Sequence, residues 1–443
     1  MNKKNFWKDT IIVGLALFST MFGAGNLIFP PQIGLFSGDQ WVLGVLGLLL
    51  GGIILPVLAL WAVNNVGDKA QDLMGHVSPW FYNAYYLIAC SFIAMGSTLP
   101  KSAATTHEMA IQPLFPNVPI WITVIVFFVL VYFFACDPNS VIDKLGKYMT
   151  PILVILLAIV LIKGVISPVG TPVDTGIDNA FGDAILTAYN TGDLTVGIMF
   201  ASVILLDLRR RGYTGAESKK GGYMAGVVSI VVLFAVYGTL TYIGACASGV
   251  YSQDTPQTVL LSGIIQSIMG PVGMACLGGA VALACLTTAV GIGTTCVGFF
   301  YDFFKRKIPY KVLVLIACII GIFMGITGVQ NIVNYVTPIF LVVYPALIVN
   351  TVLGLLNKYL PNDGFYKGGV LMAVVVSLGD AVLSVNPNIG WLRSFMDLFP
   401  FSGLGFAWVV PTIIGMVVGA IICRGKPKYQ PLPDPAEVSA QEK

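Results

Sequence analysis

The sequence predicts an all-α polytopic membrane protein of twelve transmembrane helices, and three observations predict it. Hydrophobic residues make up 56 % of the 443 positions and charged residues only 10 %, too few polar side chains to cover a water-soluble globule of that size. Apolar stretches of about 20 residues, enough to cross a hydrocarbon core of roughly 30 Å as helix, recur along the whole chain. The positive charges fall in alternate loops, as expected of a multi-pass protein whose cytoplasmic loops collect Lys and Arg.

Taken in order, the expected spans are 10–36, 41–63, 79–100, 119–136, 147–167, 180–207, 222–247, 271–301, 311–328, 332–357, 367–384 and 402–423. These runs are continuously apolar at helix length, without the short alternating segments of a transmembrane barrel. With the N-terminus inside, Lys3, Lys4, Lys8, Lys144, Lys147 and the triplets Arg209-Arg210-Arg211 and Lys305-Arg306-Lys307 are cytoplasmic. Of the 24 basic residues only Lys101, Lys163 and Arg393 fall elsewhere. Both termini are therefore expected in the cytoplasm. The triplets read as topology signals, with lipid head-group contact as a secondary role.

The chain starts lysine-rich and then turns apolar, as a signal peptide does. No small-residue cleavage site closes that run, and a Gly-Asn break and Pro30-Pro31 follow, so it is expected to be retained. The net charge of +3 is too small to suggest a nucleic-acid partner. The eight cysteines lie almost all inside apolar spans, with no CxxC and no neighbouring His, a poor pattern for disulfides or a metal. No polar stretch is long enough for a soluble domain; the longest are 208–221, 248–270 and the tail from Arg424. The tail's prolines prevent a helix from continuing, and it is expected to be disordered.

Two spans contain helix-breaking sequence at mid-membrane depth, where an unpaired backbone group costs several kcal/mol. The first is Phe22-Gly23-Ala24-Gly25-Asn26, followed by Pro30-Pro31. The second is Tyr189-Asn190-Thr191-Gly192-Asp193, between two apolar halves. They fall in spans 1 and 6, so spans 1–5 (10–167) and 6–10 (180–357) read as two halves of opposite orientation, with 367–423 adding two more helices, 1–9 a cytoplasmic N-terminus and 424–443 a cytoplasmic tail. Paired broken helices in inverted halves point to the binding site of a secondary transporter. Glycine in a membrane helix also serves close packing; the matching polar break in span 6 favours the transporter.

Unwinding a helix offers N–H groups at the start of its second half and C=O groups at the end of its first. In span 1 the amides of Ala24, Gly25 and Asn26 form a candidate cradle for a carboxylate, and the carbonyls around Ser19 and Phe22 are candidate ligands for a small cation. In span 6 the carbonyls of Tyr189, Asn190 and Thr191 can accept from an ammonium group. Asp193 can add a full negative charge, cap the second half-helix, or do both. Span 8 holds Thr287-Thr288 deep in an apolar helix, followed by Thr294 and Thr295; these hydroxyls suit a hard cation, or bond back to their own helix.

These residues carry a resemblance. Gly23-Ala24-Gly25-Asn26-Leu27-Ile28-Phe29-Pro30-Pro31, the Asn-Thr-Gly-Asp break and twelve spans over nearly the whole chain resemble the branched-chain amino acid:cation symporter family, the branched-chain amino acid transport system II carriers. The resemblance implies a five-plus-five inverted-repeat (LeuT-like) core shared with the amino acid, polyamine and cation superfamily. It also implies import of leucine, isoleucine and valine with Na⁺ by alternating access, in a prokaryotic cell membrane and as a functional monomer. By analogy with sodium-coupled carriers of that fold, the cation site joins the Ser19, Phe22 and Ala284 carbonyls to the Thr287 and Thr288 hydroxyls.

Enclosing an aliphatic side chain is worth roughly 1.5 to 3 kcal/mol, whereas one methylene changes this by about 1 to 3 kcal/mol, so poor discrimination among the three substrates is expected. Candidate lining residues are Phe92, Met95, Met199 and Phe200. The nearest alternative is a proton-coupled amino acid transporter of the same fold; against it, His76 and His107 read as loop residues and intramembrane carboxylates are scarce apart from Asp193. An intramembrane enzyme is expected to show a nucleophile with a base, or metal ligands. His107-Glu108-Met109-Ala110-Ile111 lacks the second His of a zinc hydrolase. A channel would need a filter sequence, and none is evident. Glu108, Lys101 and Arg393 read as gates or surface pairs near the outer face.

Overall fold

Backbone polar groups inside a bilayer find partners within their own segment only if that segment is helical, and the chain folds accordingly. The computed structural model describes residues 5–67, 69–136 and 150–431, the Thr150 side chain excepted. Lys3, Lys4, Lys144, Lys147 and the tail residues 432–443 lie outside the described residues. The principal helices are α1 (Phe6–Met21), α2 (Ala24–Ser37), α3 (41–66), α4 (Phe81–Ile111), α5 (Ile120–Ala135), α6 (Thr150–Ile166), α7 (Ala180–Tyr189), α8 (Asp193–Arg210), α9 (Gly215–Ala245), α10 (Gln257–Phe303), α11 (Tyr310–Gly325), α12 (Val329–Leu355), α13 (Gly364–Val385) and α14 (Val409–Ile422).

Six continuous helical stretches are long and apolar enough to cross a membrane, the bent pair α7 and α8 makes a seventh, and four shorter apolar helices accompany them among the described residues. Large apolar side chains face outward on the peripheral helices, including Phe133 at 74 %, Phe323 at 71 % and Val385 at 71 % exposure. Such a surface is compatible with lipid and not with water.

Both expected breaks are present. Between α1 and α2 the backbone is extended at Phe22 (φ −79, ψ 91) and Gly23 (φ −120, ψ −164). Between α7 and α8 the chain turns by 52° through Gly192 at φ 83, a left-handed conformation that favours glycine. Pro30 and Pro31 lie inside α2; lacking N–H groups, they leave the Asn26 and Leu27 carbonyls without their usual helical donors.

The two broken elements are held by different neighbours. α1 and α2 pack along α9, whereas α7 and α8 pack along α3. The α2–α9 approach is close enough that a Cβ on Gly34 would lie 1.9 Å from the Thr241 carbonyl oxygen, so backbone meets backbone there. α4 and α10 close the remaining sides of α2.

Three helices run past their expected ends. α4 continues to Ile111, because π-helical turns at Ala89–Thr98 accommodate Pro100 within the helix. Lys101, His107 and Glu108 therefore sit inside a helix and not in an outer loop. α9 begins at Gly215. α10 begins at Gln257, and Gly270 (φ 59) with Pro271 separates a helical arm 257–269 from the longer part. The arm buries Leu260, Leu261, Ile264 and Ile265, an amphipathic face long enough to dock but too short to span.

The start of the tail, within the described residues 424–431, is held against the helices. The Tyr429 N–H donates to Asp363 Oδ2 at 2.5 Å, and Lys428 Nζ donates to the Asn357 and Leu360 carbonyls. His76 Nδ1 lies 2.6 Å from Asp363 Oδ1, and its ring stacks on Tyr366 at 4.8 Å. A buried carboxylate needs donors, and the tail backbone supplies one.

Candidate functional site

The two breaks meet at the centre of the molecule through one amide and one carboxylate. Asn26, in the first turn of α2, donates through Nδ2 to Asp193 Oδ1 at 3.0 Å and Oδ2 at 3.1 Å, and also to the Met21 carbonyl at the end of α1. Both side chains are buried, at 1 % and 2 % exposure. A third helix joins them, since the Tyr237 hydroxyl of α9 donates to Asp193 Oδ2 at 3.4 Å. Gly192, not Asp193, occupies the N-cap of α8, and no side chain caps it. The expected capping role is thus replaced: Asp193 sits one residue inside the helix, and its carboxylate is drawn across to Asn26.

Around the second break, Thr337 of α12 places its hydroxyl 2.8 Å from Asn190 Oδ1, and the Leu194 N–H donates to the Tyr344 hydroxyl at 3.2 Å. Tyr344 in turn packs on Tyr189, ring centroids 4.6 Å apart. The Asn190 carbonyl, expected to receive a substrate ammonium, accepts from Lys101 Nζ at 2.9 Å. Lys101 is only 3 % exposed, so it is buried against the second break and is not a surface partner.

Of the three amides expected to cradle a carboxylate, that of Asn26 is taken by the Gly23 carbonyl at 3.2 Å, leaving Ala24 and Gly25 as the first-turn donors. The residues around the break, Thr20, Gly23, Ala24, Gly25, Asn26, Thr98, Lys101, Thr191, Asp193, Val196, Thr288 and Ile292 among them, enclose a cavity of ≈ 10 Å³. That is space for no more than a water.

The residues expected to hold a cation separate into two groups. The Thr288 hydroxyl donates to the Phe22 carbonyl at 3.2 Å, joining α10 to the end of α1. Thr287 instead bonds back to the Ala284 carbonyl in its own helix at 3.0 Å. Ser19 is buried on α1. Phe22 has lost its helical continuation, so its carbonyl has no i+4 donor, and an all-oxygen donor set of this kind fits a hard cation.

The expected side-chain pocket is placed differently. Phe92 is 55 % exposed on α4 and does not line the cavity. Met95, Met199 and Phe200 are buried but do not line the cavity; Val196 and Ile292 do. Tyr237, Thr337 and Tyr344 carry no local signal in the sequence, and Lys101, beside Pro100 at the end of an expected span, reads there as a boundary although it is buried against the second break.

Nearer the α4 terminus a cavity of ≈ 590 Å³ is lined by Glu108, Gln112, Gln330 and Asn331 among others. Glu108 accepts from the Thr258 hydroxyl at 2.6 Å and from the Val329 N–H at 2.9 Å, so it ties α4 to the arm of α10 and the start of α12. His107 is also helical and buried, its Nδ1 2.9 Å from Thr123 Oγ1.

Comparison with known proteins gives a consistent set of likenesses. The family described as "Branched-chain amino acid transport protein" matches residues 6–426. The chain is 28 % identical over 428 residues to the branched-chain amino acid permease BraB of Bacillus subtilis, covering 94 % of this chain and 95 % of that one. It is 30 % identical over 445 residues to a putative branched-chain amino acid carrier protein of Staphylococcus saprophyticus, covering 95 % and 98 %. Among solved structures, a manganese transporter of Eremococcus coleocola superposes with a TM-score of 0.61 at 14 % identity over 95 % of this chain and 97 % of that one. The inward-facing conformation of Mhp1 does so with a TM-score of 0.61 at 13 % identity over 98 % and 94 %. At these identities the two structures establish the shared fold alone.

Proposed function

The chain belongs to the branched-chain amino acid transport protein family, a membrane carrier and not an enzyme, and from that premise we propose that it imports leucine, isoleucine and valine by symport with Na⁺. The observation that supports this best is the juncture of the two broken helices, where Asn26 and Asp193 meet beside a small cavity. In this reading the fold is the twelve-span, five-plus-five inverted arrangement, with α1/α2 and α7/α8 as its paired broken spans, both termini cytoplasmic, working as a monomer.

The substrate lies between the breaks. Its carboxylate takes the Ala24 and Gly25 amides at the positive end of α2, and its ammonium takes Asp193 and the Tyr189, Asn190 and Thr191 carbonyls. Val196 and Ile292 meet its aliphatic side chain, and Met199 and Phe200, buried on the same helix as Val196, complete the apolar surroundings. Na⁺ is held by the Phe22 carbonyl and Thr288 hydroxyl, with Ser19, Ala284 and Thr287 as further oxygen donors. Because both ligands bridge elements that move relative to one another, each biases the same conformational equilibrium, which is what coupling requires. One charge crossing about 100 mV contributes roughly 2.3 kcal/mol.

Proton coupling is the second reading, and one observation favours it: Lys101 and Asp193, two titratable groups, are buried against the same cavity. Labelled leucine uptake into proteoliposomes separates the readings. Uptake driven by an inward Na⁺ gradient and competed by valine and isoleucine, but not by glutamate, is expected. Uptake driven by an inward H⁺ gradient alone moves the coupling to Lys101 and Asp193, and no leucine uptake under any gradient refutes the substrate assignment.

A further inference from the structure

Resting on the reading that a zwitterionic amino acid binds between the breaks, we infer that Lys101 is the positive charge that binds the substrate's carboxylate. The dipole of α2 supplies only a partial charge for that group, while Asp193 supplies a full one for the ammonium. A lysine ammonium is costly to keep out of water without partners, and it can donate three hydrogen bonds. Lys101 is 3 % exposed, donates to the Asn190 carbonyl at 2.9 Å, and lies 5.3 Å from the centroid of the Phe29 ring.

Its position is set against the carboxylate cradle itself. Nζ lies 3.3 Å from the point that a Cβ on Gly25 would occupy, so the ammonium rests on the first turn of α2, where the available amides are. Lys101 and Asp193 line the same cavity. A carboxylate seated on the Ala24 and Gly25 amides is therefore within reach of Nζ, and an ammonium on the same ligand faces Asp193.

The geometry also defines an exchange. The Asn190 carbonyl is held by Lys101, and the cavity of ≈ 10 Å³ has no room for leucine. When the substrate enters, Lys101 leaves Asn190 for the incoming carboxylate, and the substrate's ammonium takes the released carbonyl. Substrate binding then breaks one contact between α4 and the second break and creates another through the ligand. No proton or electron changes hands.

Equilibrium binding to the purified full chain tests this, with l-leucine and l-leucinamide as ligands at about pH 6, below the usual α-amino range. Lys101→Gln keeps an N–H donor for the Asn190 carbonyl but removes the charge; Lys101→Arg keeps both. The wild type is expected to bind leucine about 30-fold or more tighter than leucinamide, Lys101→Gln to lose most of that preference through weakened leucine binding, and Lys101→Arg to restore much of it. An unchanged preference in Lys101→Gln shows a structural peg and overturns the inference. So does equal binding of the two ligands by the wild type, a result that needs no variant to fold. A wild type that binds valine and isoleucine no better than glutamate, and leucine not at all, overturns the branched-chain reading and the inference with it.

Discussion

Thr287 and Thr288 are neighbours in sequence, yet their hydroxyls serve different elements: Thr287 returns to the Ala284 carbonyl, and Thr288 crosses to the Phe22 carbonyl. Only the second contact depends on the break in the first span. Thr288→Val keeps shape and removes the crossing oxygen, so the Na⁺ concentration giving half-maximal leucine uptake is expected to rise roughly tenfold or more, against less than about threefold for Thr287→Val. An unchanged Na⁺ requirement in Thr288→Val would remove the cation from this position. The pair of hydroxyls was legible in the sequence; which of them faces the break was not, because that depends on the rotation of α10 against α1. Lys101 was the harder case. Its charge near a span end reads as a boundary until the π-helical turns that carry α4 past Pro100 are known.

At the scale of elements, both breaks could be read locally, since Gly-Ala-Gly-Asn and Asn-Thr-Gly-Asp disrupt a helix through their own backbone preferences. That they belong to one site follows from their matching places in the two halves, but the side chains through which they meet could not be read. Asn26 and Asp193 are 167 residues apart, and nothing in either segment specifies the partner. The same holds for the start of the tail, where nothing local to Tyr429 specifies that its N–H reaches Asp363. Burial pushes the Asp363 carboxyl upward, but the hydrogen bonds from His76 and the Tyr429 N–H and the nearby positive charge outweigh it and hold the group below its ordinary range. A carboxyl whose folded value is depressed stabilises the fold above its unfolded value, about 3.9, and loses that contribution as pH falls through the folded value. Hydrogen exchange over 426–430, corrected for intrinsic rate, is expected to be slow at neutral pH, to quicken below about pH 4, and to be fast at neutral pH in Asp363→Asn. Unchanged exchange in that variant would show that Asp363 does not hold the tail.

The whole molecule was the most legible scale, for a physical reason: bilayer thickness and the absence of water impose helix length and apolar composition directly on the sequence. Among the described residues each expected span overlaps helix, with six or seven stretches long and apolar enough to cross a membrane, and the bounds move most at the end of α4 and the starts of α9, α10 and α14. What composition cannot specify is the conformational state. The central cavity admits no more than a water, so seating an amino acid there requires the helices around the two breaks to part.

The most direct test of where the substrate binds is an experimental structure of the full chain with l-leucine. The leucine carboxylate is expected about 3 Å from the Gly25 amide and its ammonium beside Asp193, with the isopropyl group against Val196 and Ile292. Leucine found instead in the cavity beside Glu108, with Asn26 and Asp193 still bonded and the central cavity unchanged, would contradict this placement.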